Sequence, residues 1–204
     1  MKKIIAYQLR KPSGILGYYI SHLMKKGNMP AYHMLIDQMK LKGNESLFEI
    51  GYGPGEGIHY LMSNTGCTVD GIDFSSLMHS RALKRNKKFV GQNRVHLDYG
   101  DFNEFKSGKK KYDRVFLSNV IYFWDDIRTP VSLIHHMLKK GGKICIYMAD
   151  KSELEQMSIT ATAVFNKHSL NDVVKILTQT GFTKISTAHG EMHLSKSHFI
   201  TARK

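Results

Sequence analysis

Residues 47–62 read LFEIGYGPGEGIHYLM. Four glycines, Gly51, Gly53, Gly55 and Gly57, alternate through the stretch. The apolar SLFEI ahead of them reads as a short buried strand, and GIHYLMSN behind them has helical spacing. A strand, a glycine-rich turn and a helix make a corner suited to an anion or a nucleotide. Glycines admit the backbone angles of the turn and let a ligand lie against bare main chain. The helix starting near Glu56 presents unpaired N–H groups to the same place. A tight turn without a ligand would use the same glycines, so the decision falls to the residues beyond the corner.

Those residues alternate between strand and helix. CTVDGID reads as a strand and SSLMHSRALKRNKK as a helix capped by Ser75 or Ser76. RVHLDYGD is a strand, and DRVFLSNVIYFW begins as one. VSLIHHMLKKGG is a helix ended by Gly141 and Gly142, followed by the strand KICIYM. SLNDVVKILTQTGF is a helix with a serine cap and a glycine end, and TKISTAH and HFITARK are two final strands. Strands separated by helices predict a parallel sheet covered on both faces, an α/β fold. No helix separates the last two strands, so GEMHLSK is a hairpin and the final strand runs antiparallel.

Three strand tips then converge on the glycine corner. Asp73 ends the second strand, 22 residues after Gly51, where an acid accepts hydrogen bonds from ribose hydroxyls. Its alternative role is a turn or cap acid, since Ser75 follows. The third strand ends in DYGDFNEF. Asp101 there can accept from an exocyclic adenine amine, with Phe102 near the ring and Asp98 as the competing acid. Asn119, at the end of the fourth strand, falls at the crevice where an open sheet reverses its strand order. Together these residues describe an adenosine site. A dinucleotide loop would want its third glycine at position 56, which is Glu56, and a carboxylate there repels a pyrophosphate.

LFEIGYGPGEG resembles the first motif of the class I S-adenosylmethionine-dependent methyltransferases, with Glu49, Gly51, Gly53 and Gly55 in register. VDGIDFSSLMHSRA resembles the second motif, GDFNEF the third and YDRVFLSNVIYFWDD the fourth. MLKKGGKICIYM resembles the strand after the motifs, and SLNDVVKILTQTGFTKI the late helix. The resemblance runs from about Ser46 to Lys204. It implies a Rossmann-like seven-stranded sheet in the order 3-2-1-4-5-7-6, with strand 7 antiparallel. It also implies S-adenosyl-L-methionine as donor and S-adenosyl-L-homocysteine as product. Carried over motif by motif, the cofactor-binding residues would be Glu49, Gly51, Tyr52, Gly53, Gly55, Asp73, Phe74, Asp101, Phe102 and Asn119. Glu49 would approach the methionine end of the donor, and the side chain of Tyr52 could cover the donor.

The acceptor is less legible. YFW after the fourth strand and the late helix look most like the small-molecule methyltransferases, quinone- and sterol-type relatives included. In that group the N-terminal segment forms a lid, which divides the chain into a helical lid, residues 1–44, and a methyltransferase domain, residues 45–204. No catalytic residue stands out. His22, His33, His59 and His135 are candidate bases, although a lone histidine is usually structural. Tyr18, Tyr19, Tyr52, Tyr122, Phe123 and Trp124 are candidate aromatic faces for a cationic sulfur, or plain core residues. His189, Glu191 and His193 alternate in a surface hairpin, and no metal is expected there.

Bulk properties bound these readings. A chain of 204 residues with 42% hydrophobic and 23% charged residues is globular, one domain or one domain with an appendage. Cys67 and Cys145 sit in separate apolar runs, which predicts two buried thiols and a reducing compartment. With neither a secretory leader nor a membrane-length apolar run, the expectation is a soluble cytoplasmic protein. The net charge of +13 points to an acidic partner: nucleic acid, anionic lipid or a negative substrate.

Much of that charge lies early. The first 44 residues hold Lys2, Lys3, Arg10, Lys11, Lys25, Lys26, Lys40 and Lys42 against one acid, Asp37. Leu16, Tyr19, Ile20, Leu23 and Met24 predict an amphipathic helix stopped by Gly27-Asn28. Pro30 then starts a second helix to about Lys40. Residues 14–40 are thus a lid, a basic contact for an anionic membrane, or two helices packed on the sheet edge. An RNA methyltransferase is the second enzymatic reading, favoured by the charge and by RALKRNKK and KSGKKKYDR. A non-catalytic protein that binds the donor or its product is the alternative from a different class.

Overall fold

The computed structural model describes residues 1–192 and 195–204. Its strands are β1 (Ser46–Ile50), β2 (Thr68–Asp73), β3 (Val95–Tyr99), β4 (Tyr112–Ser118), β5 (Leu138–Ala149), β6 (Thr183–Met192) and β7 (Ser195–Arg203). They form one sheet in the order β3-β2-β1-β4-β5-β7-β6. The β1–β2, β1–β4, β2–β3 and β4–β5 pairs are parallel, and β7 is antiparallel to both neighbours. Order and direction match the expectation.

Successive strand residues point to opposite faces, so continuous apolar runs fill two cores. Phe48, Ile50, Val115, Leu117, Ile144 and Ile146 enter one core. Leu47, Phe116, Cys145 and Tyr147 enter the other. The first core is closed by α6 (Arg128–Met137) and α8 (Leu170–Gln179) through Val131, Ile134, Val173 and Leu177. The second is closed by α2 (Gly14–Met39), α3 (Glu56–Asn64), α4 (Ser76–Arg85) and α5 (Lys87–Gly91), through residues such as Leu35, Ile58, Ala82 and Phe89. Both cysteines are buried and free.

Local signals set several helix starts. Ser75 caps α4 by accepting from the Met78 N–H at 3.2 Å. Ser169 and Asp172 complete a reciprocal capping box on α8. Elsewhere tertiary packing overrode the local reading. The expected break at Gly27-Asn28 does not occur: α2 runs through it with Pro30 inside. An interior proline removes one helical hydrogen bond. The following turns recover that cost by burying Ala31, Tyr32, Leu35, Ile36 and Met39. An additional helix, α1 (Lys2–Arg10), precedes it. The helix expected to end at Gly141-Gly142 ends at Met137 instead. β5 starts at Leu138, which pairs with Tyr112, and carries the two glycines past a register shift. A short α7 (Lys151–Gln156), absent from the sequence expectation, is capped by Asp150, whose Oδ1 accepts from the Ser152 N–H at 2.8 Å.

Candidate active site

The C-terminal ends of β1, β2 and β4 face a cleft with about 1150 Å³ of empty space, open solvent included. Every expected cofactor-binding residue except Gly55 lines it. Gly55 serves packing: a Cβ there would lie 2.7 Å from Asn86 Nδ2 and 2.9 Å from Ala82, on α4. Gly53 opens onto the cleft, with φ +54° and nothing within 4 Å of where its Cβ would be.

Asp73 organises this corner. Its Oδ2 accepts from the Gly53 N–H at 2.9 Å and its Oδ1 from the Ser75 N–H at 2.8 Å. Burial pushes its pKa up to about 6, against the lowering effect of those two bonds. Each oxygen keeps a second lone pair, so the carboxylate can shape the loop and still accept from a ligand. Asp101 also lines the cleft and accepts from the Asn103 backbone N–H at 2.9 Å. Asp98, the competing acid, does not line it. Phe102 stacks on Trp124 with centroids 6.1 Å apart.

Glu49 is the most unusual group. It is 2% exposed, and burial pushes its pKa up to about 8. The Tyr32 hydroxyl lies beside it and is itself raised by burial and by Glu49. Neither the Tyr32 hydroxyl nor Glu49 Oε2 completes a well-formed hydrogen bond within the protein. Buried polar atoms normally have partners, so this pair points to a ligand that supplies one. Among the described lining residues Glu49, Glu56, Asp73 and Asp101 face the cleft with Arg10 as the one Lys or Arg, and Lys11 lies close by, over the Phe74 ring. Arg85 offsets part of that charge through its 2.6 Å ion pair with Glu56. A cleft this acidic in a chain of net charge +13 suits a cationic ligand better than a pyrophosphate.

Tyr52 borders the cleft with its hydroxyl held by the protein. Its hydroxyl donates to the Asp98 carbonyl at 2.9 Å and lies 2.8 Å from His79 Nδ1. Those bonds draw the tip of the side chain into the packing near β3 and α4. Asn119 takes a left-handed conformation, φ +58°. Its Oδ1 accepts from the Tyr122 hydroxyl at 3.2 Å, and its Nδ2 donates to Asn28 Oδ1 at 3.3 Å. Phe123 and Trp124 line the cleft, whereas Tyr18 and Tyr19 are exposed. None of His22, His33, His59 and His135 lines it. The His189 ring lies 5.2 Å from that of His198, and His193 lies outside the described residues.

The segment expected from sequence to be a lid also borders the cleft, through side chains that the sequence did not single out. Leu9, Arg10, Pro12, Ser21, Asn28 and Tyr32, from the N-terminal helices, complete the cleft. Ser75 Oγ donates to the Pro12 carbonyl at 2.6 Å, and Arg81 bonds Ser21 Oγ and lies over the Tyr18 ring at 4.6 Å. Tyr32 fits because position 57 is glycine: a Cβ there would sit 1.9 Å from the Tyr32 ring. Gly57 was the available signal, since a helix interior otherwise disfavours glycine.

A family model described as "Methyltransferase domain" matches residues 48–144, from β1 into β5. The chain belongs to the class I S-adenosylmethionine-dependent methyltransferase family. Phosphoethanolamine N-methyltransferase 2 of Caenorhabditis elegans is 30% identical over 150 residues, covering 72% of this chain and 34% of that protein. Sterol 24-C-methyltransferase of Clavispora lusitaniae is 23% identical over 137 residues, covering 66% of this chain and 36% of that protein. The chain therefore spans little more than a third of the length of these two curated relatives. Among solved structures, phosphoethanolamine N-methyltransferase 2 of Haemonchus contortus in complex with S-adenosyl-L-methionine shares the methyltransferase fold. Its TM-score is 0.74 at 20% identity, covering 86% of this chain and 52% of that one.

Proposed function

We propose that this chain transfers the methyl group of S-adenosyl-L-methionine to a small-molecule acceptor, leaving S-adenosyl-L-homocysteine. The observation that carries this reading is the acidic cleft at the strand tips, with Asp73 holding the Gly53 corner beside the buried Glu49–Tyr32 pair. Asp73 takes the ribose hydroxyls and Asp101 the adenine amine, with Phe102 against the ring. The loop at Gly51–Gly53 lies against the amino-acid end, and Glu49 answers its ammonium group. Asn119 and Phe74 complete the wall. The donor supplies an activated sulfonium methyl, so the protein's work is to bind, align and exclude water. Residues 1–44 act as the lid and 45–204 as the methyltransferase domain.

The acceptor reading rests on the cleft and on the relatives, whose names specify phosphoethanolamine and a sterol. The basic run KSGKKKYDR leads into the start of β4, at the end of the strand opposite the cleft. Lys110 there is paired with Asp70 at 2.6 Å, and Lys111 donates to the His136 carbonyl at 2.9 Å. That placement disfavours RNA as acceptor. Among the described residues, no helix is long and apolar enough to cross a membrane.

Titration calorimetry tests the donor: S-adenosyl-L-methionine and S-adenosyl-L-homocysteine should bind and NAD should not. A donor-consumption screen over quinone, phenol, amine, lipid and RNA pools then tests the acceptor. Turnover confined to RNA, with salt-sensitive binding, would replace the small-molecule reading.

A further inference from the structure

Ten large hydrophobic side chains are exposed among the described residues, and eight of them lie in residues 1–23. Ile15, Leu16, Tyr19 and Leu23, exposed by 80, 46, 65 and 69%, follow helical spacing along one side of α2. Ile4 and Tyr7, one turn apart on α1, are exposed by 58 and 50%. The opposite side of α2 is accounted for, since Gly17, Ile20 and Ser21 are buried. The outer stripe has no partner among the described residues. Scattered apolar residues are ordinary on a surface, but a contiguous stripe marks a contact.

Charge selects the occupant. Lys2, Lys3, Arg10 and Lys11 are carried by α1 and the turn into α2, and no Asp or Glu occurs before Asp37. A second copy of the chain would bring like charges together across the same stripe. RNA would leave Ile15 and Leu23 against polar sugar and phosphate. An anionic bilayer satisfies both features: Ile and Leu enter the acyl boundary, Tyr sits at the headgroup level, and Lys and Arg meet lipid phosphate. The stripe also lies beside the cleft, because Leu9, Arg10 and Pro12 line the cleft from the α1–α2 junction.

We propose that the outer face of α1 and the first half of α2 docks on an anionic membrane surface and admits an amphiphilic acceptor to the cleft from the bilayer. The docking stands on the exposed stripe and its charge, and the delivery of an acceptor rests on the methyl-transfer reading above. The surface also refines the basic 14–40 contact expected from sequence: it begins at α1, and Ala31, Tyr32 and Leu35 in the later part of α2 are buried against the sheet side.

The test is co-sedimentation of the full chain with phosphatidylcholine vesicles, with and without phosphatidylglycerol, with donor calorimetry run on the same samples. Wild type should bind the anionic vesicles and be released by salt. The variant Ile15→Ser/Tyr19→Ser/Leu23→Ser should lose binding by about tenfold or more. Its donor affinity should be unchanged, which also shows that it is folded. Lys2→Glu/Lys3→Glu should weaken binding to anionic vesicles only. Absence of wild-type binding, or equal binding by the triple variant, overturns the proposal. So does a dimer in gel filtration that the triple substitution dissociates without any vesicle binding, or salt-sensitive RNA binding in place of vesicle binding. Vesicle binding without donor binding would sink the methyl-transfer reading and leave the docking intact.

Discussion

The sheet wall of the cleft and its helical roof treat polar and apolar groups in opposite ways. On the wall, Asp73 is 6% exposed with both oxygens engaged by backbone N–H groups, and Gly51 leaves no room for a methyl group beside Val120. On the roof, Tyr19 and Leu23 face outward, and the attachment to α4 runs through the Ser75–Pro12 bond and Arg81. The wall sets geometry and charge before any ligand arrives. The first half of α2 presents an apolar outside, whereas its later turns are buried in the second core. Under the proposed function, the difference separates two tasks, holding a donor in a fixed pose and meeting an acceptor from outside.

Four substitutions would break or sharpen that contrast. Asp73→Ala removes both loop bonds and the proposed ribose acceptor, and calorimetry should show donor affinity lower by about a hundredfold or more. Unchanged affinity would sink the ribose assignment. Gly51→Ala places a Cβ 2.4 Å from Val120 Cγ2 at φ +70°. Denaturant melts should show a loss of about 2–4 kcal/mol. Adding Val120→Ala should relieve the clash but not the backbone strain, so recovery should be partial.

Glu49→Gln probes the buried charge. The pKa values of Glu49 and Asp73 are raised from 4.5 and 3.8 to about 8 and about 6. These two groups therefore hold more protons in the folded than in the unfolded chain between those limits, and their contribution to stability falls as pH rises from about 4 to about 8. In Glu49→Gln the upper part of that decline should flatten, leaving the variant on the order of 1–3 kcal/mol more stable than wild type near pH 8. A parallel decline in both proteins would show that Glu49 does not carry it. Arg81→Ala should have the smallest effect, about 0.5–1 kcal/mol, because it loses bonds at an exposed edge. Hydrogen exchange should quicken in residues 14–23 and stay constant in β1 to β4. A uniform change would mean that the roof is not separately fastened.

The same contrast decided what could be read from sequence. Asp73 and Asp101 were visible because strand tips advertise themselves through alternation, glycine and regular spacing. The sheet order followed from the motif resemblance, and the antiparallel last strand also from a missing helix. Tyr32 carried no such mark, since its place depends on the vacancy at Gly57 and on α2 continuing through Pro30. Pro30 reads locally as a helix start, and only burial against the sheet reverses that reading. Tyr52 lines the cleft beside the glycine loop, and its hydroxyl partners, His79 and the Asp98 carbonyl, lie on other elements and so carried no local signal.

The bond from the Gly53 N–H to Asp73 has a consequence for rates. A loop already held by its own acid has lost its freedom during folding, and arrival of a nucleoside need not order it again. Association should then proceed near the speed of a rigid site. The amide proton of Gly53 should exchange slowly with solvent even when no nucleoside is present.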